Sequence, residues 1–356
     1  MRSDACLWQR VVSCWMRSTV SMHSRFKWHV DLLARRCFEG KQRDEMCWTT
    51  GPPSVHIETL LIDPLHPRMT DRITLSVILA TIEPWPDLAN CLEVLEPQVA
   101  AVGGEIIVGD GHGEALDAAK AASSERLSWV RMPGASVFEL RARAAERARG
   151  DIIAMTEDHV LVAHDWCAQV LEAFERNPGA DSVTGPVLNG STGSLIDWAN
   201  FLHTFGAFYP PVNRHQGYLC PPVANFAFRR SVLGPGPIAT GWLELELNPR
   251  LFLEGRCHVS DGLTATHVQS HGFWGTLRAH YDNGRSTTGL RARADERGRG
   301  PWKLFRQGLD AMGGIKKLTP AARASLPLMF VLSCCHAAGE AVGVRAGPGE
   351  SPARLR

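Results

Sequence analysis

The sequence predicts an α/β domain on a mostly parallel central sheet flanked by helices, and three observations carry that prediction. Runs of apolar and β-branched residues recur at Ile73–Ala80, Glu105–Val108 and Asp151–Met155, with the length and composition of strands buried on both faces. Helix-forming stretches separate these runs. The second and third run straight into polar clusters, Gly109-Asp110-Gly111-His112-Gly113 and Thr156-Glu157-Asp158-His159. The carboxyl edge of such a sheet is where ligands bind.

Taken in order, residues 1–68 follow no period: Trp8, Trp15, Trp28 and Trp48 alternate with cysteines and arginines. This stretch is expected to be a poorly ordered or spurious extension, with the domain beginning at Met69. After the first strand, Pro84 and Pro86 punctuate the chain, and Asp87 is expected to cap a helix carrying Leu88, Leu92 and Leu95. Leu127–Val130 reads as a short strand, and Phe138–Arg149, rich in Ala and Arg, as a helix ended by Gly150. The main domain is expected over residues 69–300 and a helical tail over 301–356. In that tail, residues 324–339 carry no fixed charge and Leu326–Leu332 is strongly apolar. Pro327, His336 and Glu340 make it a poor spanning helix, so a buried helix or one in peripheral membrane contact is expected.

Composition excludes several classes. With 38 Lys+Arg against 37 Asp+Glu, no global charge favours nucleic acid, so no nucleic-acid partner is expected. Ten cysteines without a Cys-x-x-Cys pair exclude a zinc ribbon. Arg2, Arg10 and Arg17 interrupt the apolar core that a secretory signal needs. A reducing, cytoplasmic location with mostly buried or free thiols is therefore expected, at the inner face of a membrane if the tail touches one.

Glu157, Asp158 and His159 form the densest cluster of metal-ligand types in the chain. Mg²⁺ and Mn²⁺ prefer carboxylate oxygen, and Mn²⁺ also accepts imidazole. Extended backbone would turn Glu157 and His159 to one side, whereas a tight turn would present Asp158 instead.

The succession Leu75-Ser-Val-Ile-Leu-Ala-Thr81, Glu105-Ile-Ile-Val-Gly-Asp110-Gly, Arg147-Ala-Arg-Gly-Asp-Ile-Ile-Ala-Met-Thr-Glu157-Asp-His159 and Ala224-Asn-Phe-Ala-Phe-Arg-Arg230 resembles the family 2 glycosyltransferases of GT-A (nucleotide-diphospho-sugar transferase) fold, from about Thr74 to about Gly300. The resemblance implies inverting transfer of a sugar from a nucleotide-diphosphate sugar to a hydroxyl of a glycan or lipid-linked acceptor, with a divalent cation, Mg²⁺ or Mn²⁺. It places Thr81, Glu83 and Asp110 at the base and ribose. The family's D-x-D metal motif falls on positions 157–159, where this chain has Glu and His at the usual Asp positions.

By the same resemblance Arg141 lies near the phosphates, where its forked donors suit a diphosphate. Arg143 reads better as a surface residue paired with Glu139 or Glu146. Asn225 is expected to read sugar hydroxyls, His267 to sit near the metal, and Arg285 to ride a mobile segment closing over the pyrophosphate. The catalytic base falls on Glu244, with Glu246 as rival, and Leu243 stands where an acidic neighbour is usual. The alternation Leu243, Leu245, Leu247 is equally compatible with a strand, and Pro249 is unusual for a helix there. The departures at 157, 159 and 243 motivate one alternative: a nucleotide-sugar-binding or scaffold protein that has lost turnover. A nucleotidyltransferase would need a glycine-rich basic loop after the first strand, which Ile82-Glu-Pro-Trp-Pro86 is not.

Overall fold

Strand β1 (Leu75–Thr81) is buried at every position, as its unbroken apolar run requires. It pairs in parallel with β2 (Glu105–Asp110) on one side and β4 (Ile152–Met155) on the other, and β3 (Leu127–Arg131) extends the sheet beyond β2. Past β4 the direction reverses: β8 (Phe226–Arg229) is antiparallel to β4 and to β6 (Ser182–Thr184), and β9 (Cys257–Val259) closes the far edge in parallel with β6. The resulting seven-stranded order is β3-β2-β1-β4-β8-β6-β9. A second, three-stranded sheet joins β5 (Val160–Val162), β10 (Ala265–His267) and β7 (Val187–Asn189), with β10 in the middle.

The computed structural model describes residues 73–82, 85–112, 125–212, 221–234, 243–291, 298–314 and 318–355. The extension over 1–68 lies outside them, as does Glu83.

Two cores form because successive strand residues face opposite ways. Val77, Leu79, Ile106 and Val108 pack with α1 (Trp85–Ala101) and α3 (Trp166–Arg176). Ile78, Ile107, Ile153 and Met155 pack with α2 (Val137–Arg147) and α5 (Leu243–Leu253). Each such side chain, taken fully out of water, contributes about 1.5–3 kcal/mol. Helix α1 begins two residues before Asp87, which lies in the first turn and complements the helix dipole from there. Helix α2 starts with a capping box in which Ser136 and Glu139 bond each other's backbone N–H groups.

The segment from 243 is a helix and not a strand. Leu243, Leu247 and Leu251 recur at four-residue spacing and are all fully buried, so the helical period wins over the shorter alternation, with Pro249 inside.

Helices α4 (Leu195–Phe205), α6 (Gly272–Arg291), α7 (Pro301–Ala311), α8 (Pro320–Ala324) and α9 (Leu326–Ala346) complete the fold. The helices after residue 300 are no separate tail: Ala311, Met312, Ala322, Met329 and Leu332 belong to the same core as β1, and Arg68–Arg356 makes one compact unit. Helix α9 is long and apolar enough to cross a membrane by length and composition, and half of that apolar stretch is buried. It lies along α6 at very short range. A Cβ on Gly339 would strike the Tyr281 carbonyl, and one on Gly343 would stand 2.6 Å from the Arg285 carbonyl. Among the described residues no disulfide forms, and burial pushes the Cys167 thiol up to about 12.

Candidate active site

A cavity of about 320 Å³ opens at the carboxyl end of β1 and β4, walled by α2, α4, α6 and the turn before β8. Arg141, Glu157, Asp158, His159 and His267 line it together. Local backbone explains the meeting. β4 ends at Met155, and the chain turns through 156–159 before β5, with Val160 N–H bonded to the Glu157 carbonyl. β10 then pairs antiparallel to β5 with His267 opposite Val160, and Val268 N–H donates to the His159 carbonyl. Strand pairing thus brings together two histidines far apart in sequence.

The metal-ligand types converge. His159 Nε2 and His267 Nε2 are 3.1 Å apart, and each lies 3.7 Å from Glu157 Oε2. Donors held at ~2.1 Å by one cation would sit ~3.0–3.4 Å apart for right-angle to tetrahedral arrangements, so small side-chain shifts suffice for this trio to share an ion. The other Glu157 oxygen accepts from Arg141 Nη2 at 3.0 Å.

Asp158 is not part of the trio. It is buried, and its Oδ1 lies 2.8 Å from His159 Nδ1. A carboxylate only accepts, so this contact requires a proton on Nδ1 and leaves the His159 Nε2 lone pair facing the cavity site. His267 packs under the Phe205 ring, 4.4 Å between centroids, and burial, then His159 and His271, hold its pKa well below the usual histidine value. It therefore stays neutral, the form that ligates. The donor set fits a divalent cation.

The strand ends carry the second group. Thr81 and Asp110 are register partners at the tips of β1 and β2, both buried and neither lining the cavity, which begins with their neighbours Ala80 and Ile82. Asp110 Oδ1 accepts from the backbone N–H of His112 at 3.0 Å and lies 2.9 Å from His112 Nδ1, while Arg131 Nε is 3.5 Å from Oδ2. The Thr81 hydroxyl is buried with no hydrogen-bond partner, a polar atom waiting beside Asp110. His112 is not among the site residues expected from sequence. Its signal was the Asp-Gly-His order, since Asp commonly bonds the backbone two residues on.

Other expectations come out differently. Asn225, expected to read sugar hydroxyls, is taken up by protein partners: its Oδ1 accepts from Trp166 Nε1 at 2.8 Å, and its Nδ2 donates to the carbonyls of Pro186 at 3.0 Å and Leu263 at 2.6 Å. It is fully buried and does not line the cavity. Arg285 is not on a mobile loop but in the middle of α6, where its Nε donates to the Gly347 carbonyl at 3.2 Å. Glu246 is exposed on α5 and does not line the cavity. Position 244 is in the first turn of α5, but its side chain lies outside the described residues. Arg143 pairs with Glu146 at 2.7 Å on the surface, as expected. The cavity also recruits Asn200 from α4 and His280 from α6, whose contact at 2.9 Å nothing local in sequence signals.

Residues 76–234 match the family model of glycosyl transferase family 2. No curated protein matches the chain. Among solved structures, one titled "Crystal Structure of a Mycobacterial Protein" is similar at 15% identity and TM-score 0.33, over 57% of this chain and 70% of that one. The family match spans β1 to the turn after β8 and so contains Asp110, Arg141 and the 157–159 turn. Residues 76–234 thus match the family 2 glycosyltransferases, and the mixed α/β sheet they build is consistent with the GT-A fold.

Proposed function

We propose that the protein transfers a sugar from a nucleotide-diphosphate donor to an acceptor hydroxyl with inversion, assisted by a divalent cation held by Glu157, His159 and His267. The observation that carries this reading is the convergence of those three side chains with Arg141 in one cavity, to which the family-matched segment gives Arg141, Glu157 and His159 and β10 adds His267. When bound, the cation supplies positive charge against the diphosphate leaving group. Arg141 adds a forked cation beside it, and its bond to Glu157 orients both groups. In this reading Asp110 and Thr81, buried at the tips of β2 and β1 behind Ala80 and Ile82, shape the sheet edge that takes the nucleoside end.

The base in this reading is Glu244. Asn248, one turn further on the same helix face, donates to the carbonyl of Pro221, and Pro221 lines the cavity. That tie supports a place for this helix beside the cavity, and a carboxylate base there would take the acceptor hydroxyl's proton as the oxygen attacks the anomeric carbon. The close packing of α9 on α6 supports a core role for that helix and, for an acceptor in a membrane, peripheral contact only.

The test is nucleotide release from a panel of nucleotide sugars. Turnover should appear with one donor, fall about 10²–10⁴-fold in Glu244→Gln, and leave nucleotide binding intact in that variant. Binding of no nucleotide diphosphate by the wild type refutes the proposal.

A further inference from the structure

We infer that the cavity site selects a first-row transition cation over Mg²⁺, and that Asp158 is the positioning residue that makes it so by fixing His159 in its ligating tautomer. The inference rests on the proposed metal-assisted function and concerns which ion the chain takes. The donor set is two imidazoles and one carboxylate oxygen, within 4.8 Å of one another. Mg²⁺ demands oxygen ligands in near-ideal octahedral geometry and sheds water reluctantly. Imidazole nitrogen instead suits the borderline transition ions, whose affinities rise from Mn²⁺ towards Zn²⁺. Two acidic residues at 157 and 159 would leave that choice open. His159 in place of a carboxylate closes it.

Asp158 enforces the choice. Its Oδ1 lies 2.8 Å from His159 Nδ1, so the proton is held on the ring nitrogen away from the site and the Nε2 lone pair points towards His267 Nε2 and Glu157 Oε2. Without that carboxylate the imidazole is free to put its proton on Nε2, and a protonated Nε2 cannot ligate. The other oxygen, Asp158 Oδ2, is buried with no hydrogen-bond partner. A carboxylate kept in so poor a setting, with one oxygen turned only to His159, is an arrangement that packing alone does not call for.

Arg141 acts in the same direction. It holds Glu157 Oε1 at 3.0 Å, which leaves Oε2 as the oxygen facing both imidazoles. The glutamate then presents one oxygen and not two, which favours a compact nitrogen-rich site over an all-oxygen cage.

The experiment uses metal-stripped full-length protein without nucleotide, so that its outcome is independent of turnover. Mn²⁺ is titrated and followed by its electron paramagnetic resonance signal, with Mg²⁺ or Zn²⁺ as competitor. The expected result is one bound Mn²⁺, retained against about a hundredfold excess of Mg²⁺ and displaced by Zn²⁺ at or below equimolar amounts. Asp158→Ala should weaken Mn²⁺ binding about 10–100-fold, whereas Asp158→Asn, whose amide oxygen can still accept from Nδ1–H, should restore most of it. Nitrogen-15 shifts of the His159 ring should report the Nδ1–H tautomer in wild type and Asp158→Asn and a mixture in Asp158→Ala, a change that a merely structural role would not produce. His159→Asp should let Mg²⁺ compete.

Equal Mn²⁺ affinity in wild type and Asp158→Ala overturns the positioning role, and displacement of Mn²⁺ by equimolar Mg²⁺ overturns the selectivity. If no Mn²⁺ binds while donor turnover persists in chelator, the inference fails and glycosyl transfer stands. If Mn²⁺ binds as described but no nucleotide sugar is turned over, the proposed function fails and the cation site stands.

Discussion

Asn225→Ala tests most directly whether the Asn225 side chain ties Trp166, Pro186 and Leu263 together. The substitution removes three hydrogen bonds at a fully buried position. The Pro186 carbonyl keeps one partner, the N–H of Ala265 at 3.1 Å. Trp166 Nε1–H and the Leu263 carbonyl lose the partner that Asn225 supplied. Two buried groups left unpaired at about 1–3 kcal/mol each give a loss of roughly 4 kcal/mol, a large part of the 5–15 kcal/mol that usually holds a domain together. Asn225→Asp should be no milder, because it keeps the acceptor for Trp166 but turns two donors into oxygen facing two carbonyls. Urea unfolding followed by far-ultraviolet circular dichroism measures the loss as a lower midpoint at unchanged slope. A variant with the wild-type midpoint and only a raised KM for the sugar donor would falsify the structural role and return Asn225 to the substrate.

Three further outcomes are expected. Acidification should destabilise the fold through His280, whose pKa burial, then His336 and His271, lower to about 3 from the ordinary 6.5. The unfolded chain then binds the proton that the folded one refuses, so stability is full above pH 6.5 and is lost as pH falls towards 3, with about 1.4 kcal/mol gone at pH 5.5 from this group. A His280→Gln variant whose pH–stability curve is as steep as the wild type's counts against this source. Gly339→Ala should force α6 and α9 apart, since the added methyl meets the Tyr281 backbone, and cost about 1–3 kcal/mol by thermal or chemical unfolding. Arg141→Lys keeps the charge but not the fork. It should lower kcat/KM about 10²-fold, where an unchanged value would show that Arg141 only braces Glu157.

The parts of the fold that could be read from sequence are those whose signal is local. Strands β1, β2 and β4 are buried on both faces, so they print as continuous apolar runs, and the switch to Asp110 or Glu157 marks where each reaches the ligand edge. The stretch from 243 was ambiguous because Leu243 and Leu247 satisfy a period of two and of four alike. Leu251 fits both periods as well, so the apolar spacing leaves the choice to the backbone, which is helical over 243–253. The role of Asn225 was hidden for a different reason. Its partners are two main-chain carbonyls and an indole nitrogen 38 to 59 residues away, and nothing near position 225 distinguishes a clamp from a sugar reader. The resemblance gives no sign that Arg285 belongs to a packed helix. Gly284 is a contact point, where a Cβ would strike the His336 carbonyl of α9. The pairing of His159 with His267 depends on β10 meeting β5, a register that sequence spacing does not encode.

One face of α6 gives Ala279, His280, Asn283 and Thr287 to the cavity, while Gly284 sits against α9 with no side chain between the two backbones. Main chain resting on main chain has no compliant layer to absorb a shift, so this wall is stiff, and room for a bulky acceptor has to come from elsewhere in the lining. Enlarging the acceptor range by engineering is therefore better aimed at Pro221, Pro222 and Val223, which line the cavity from the turn before β8.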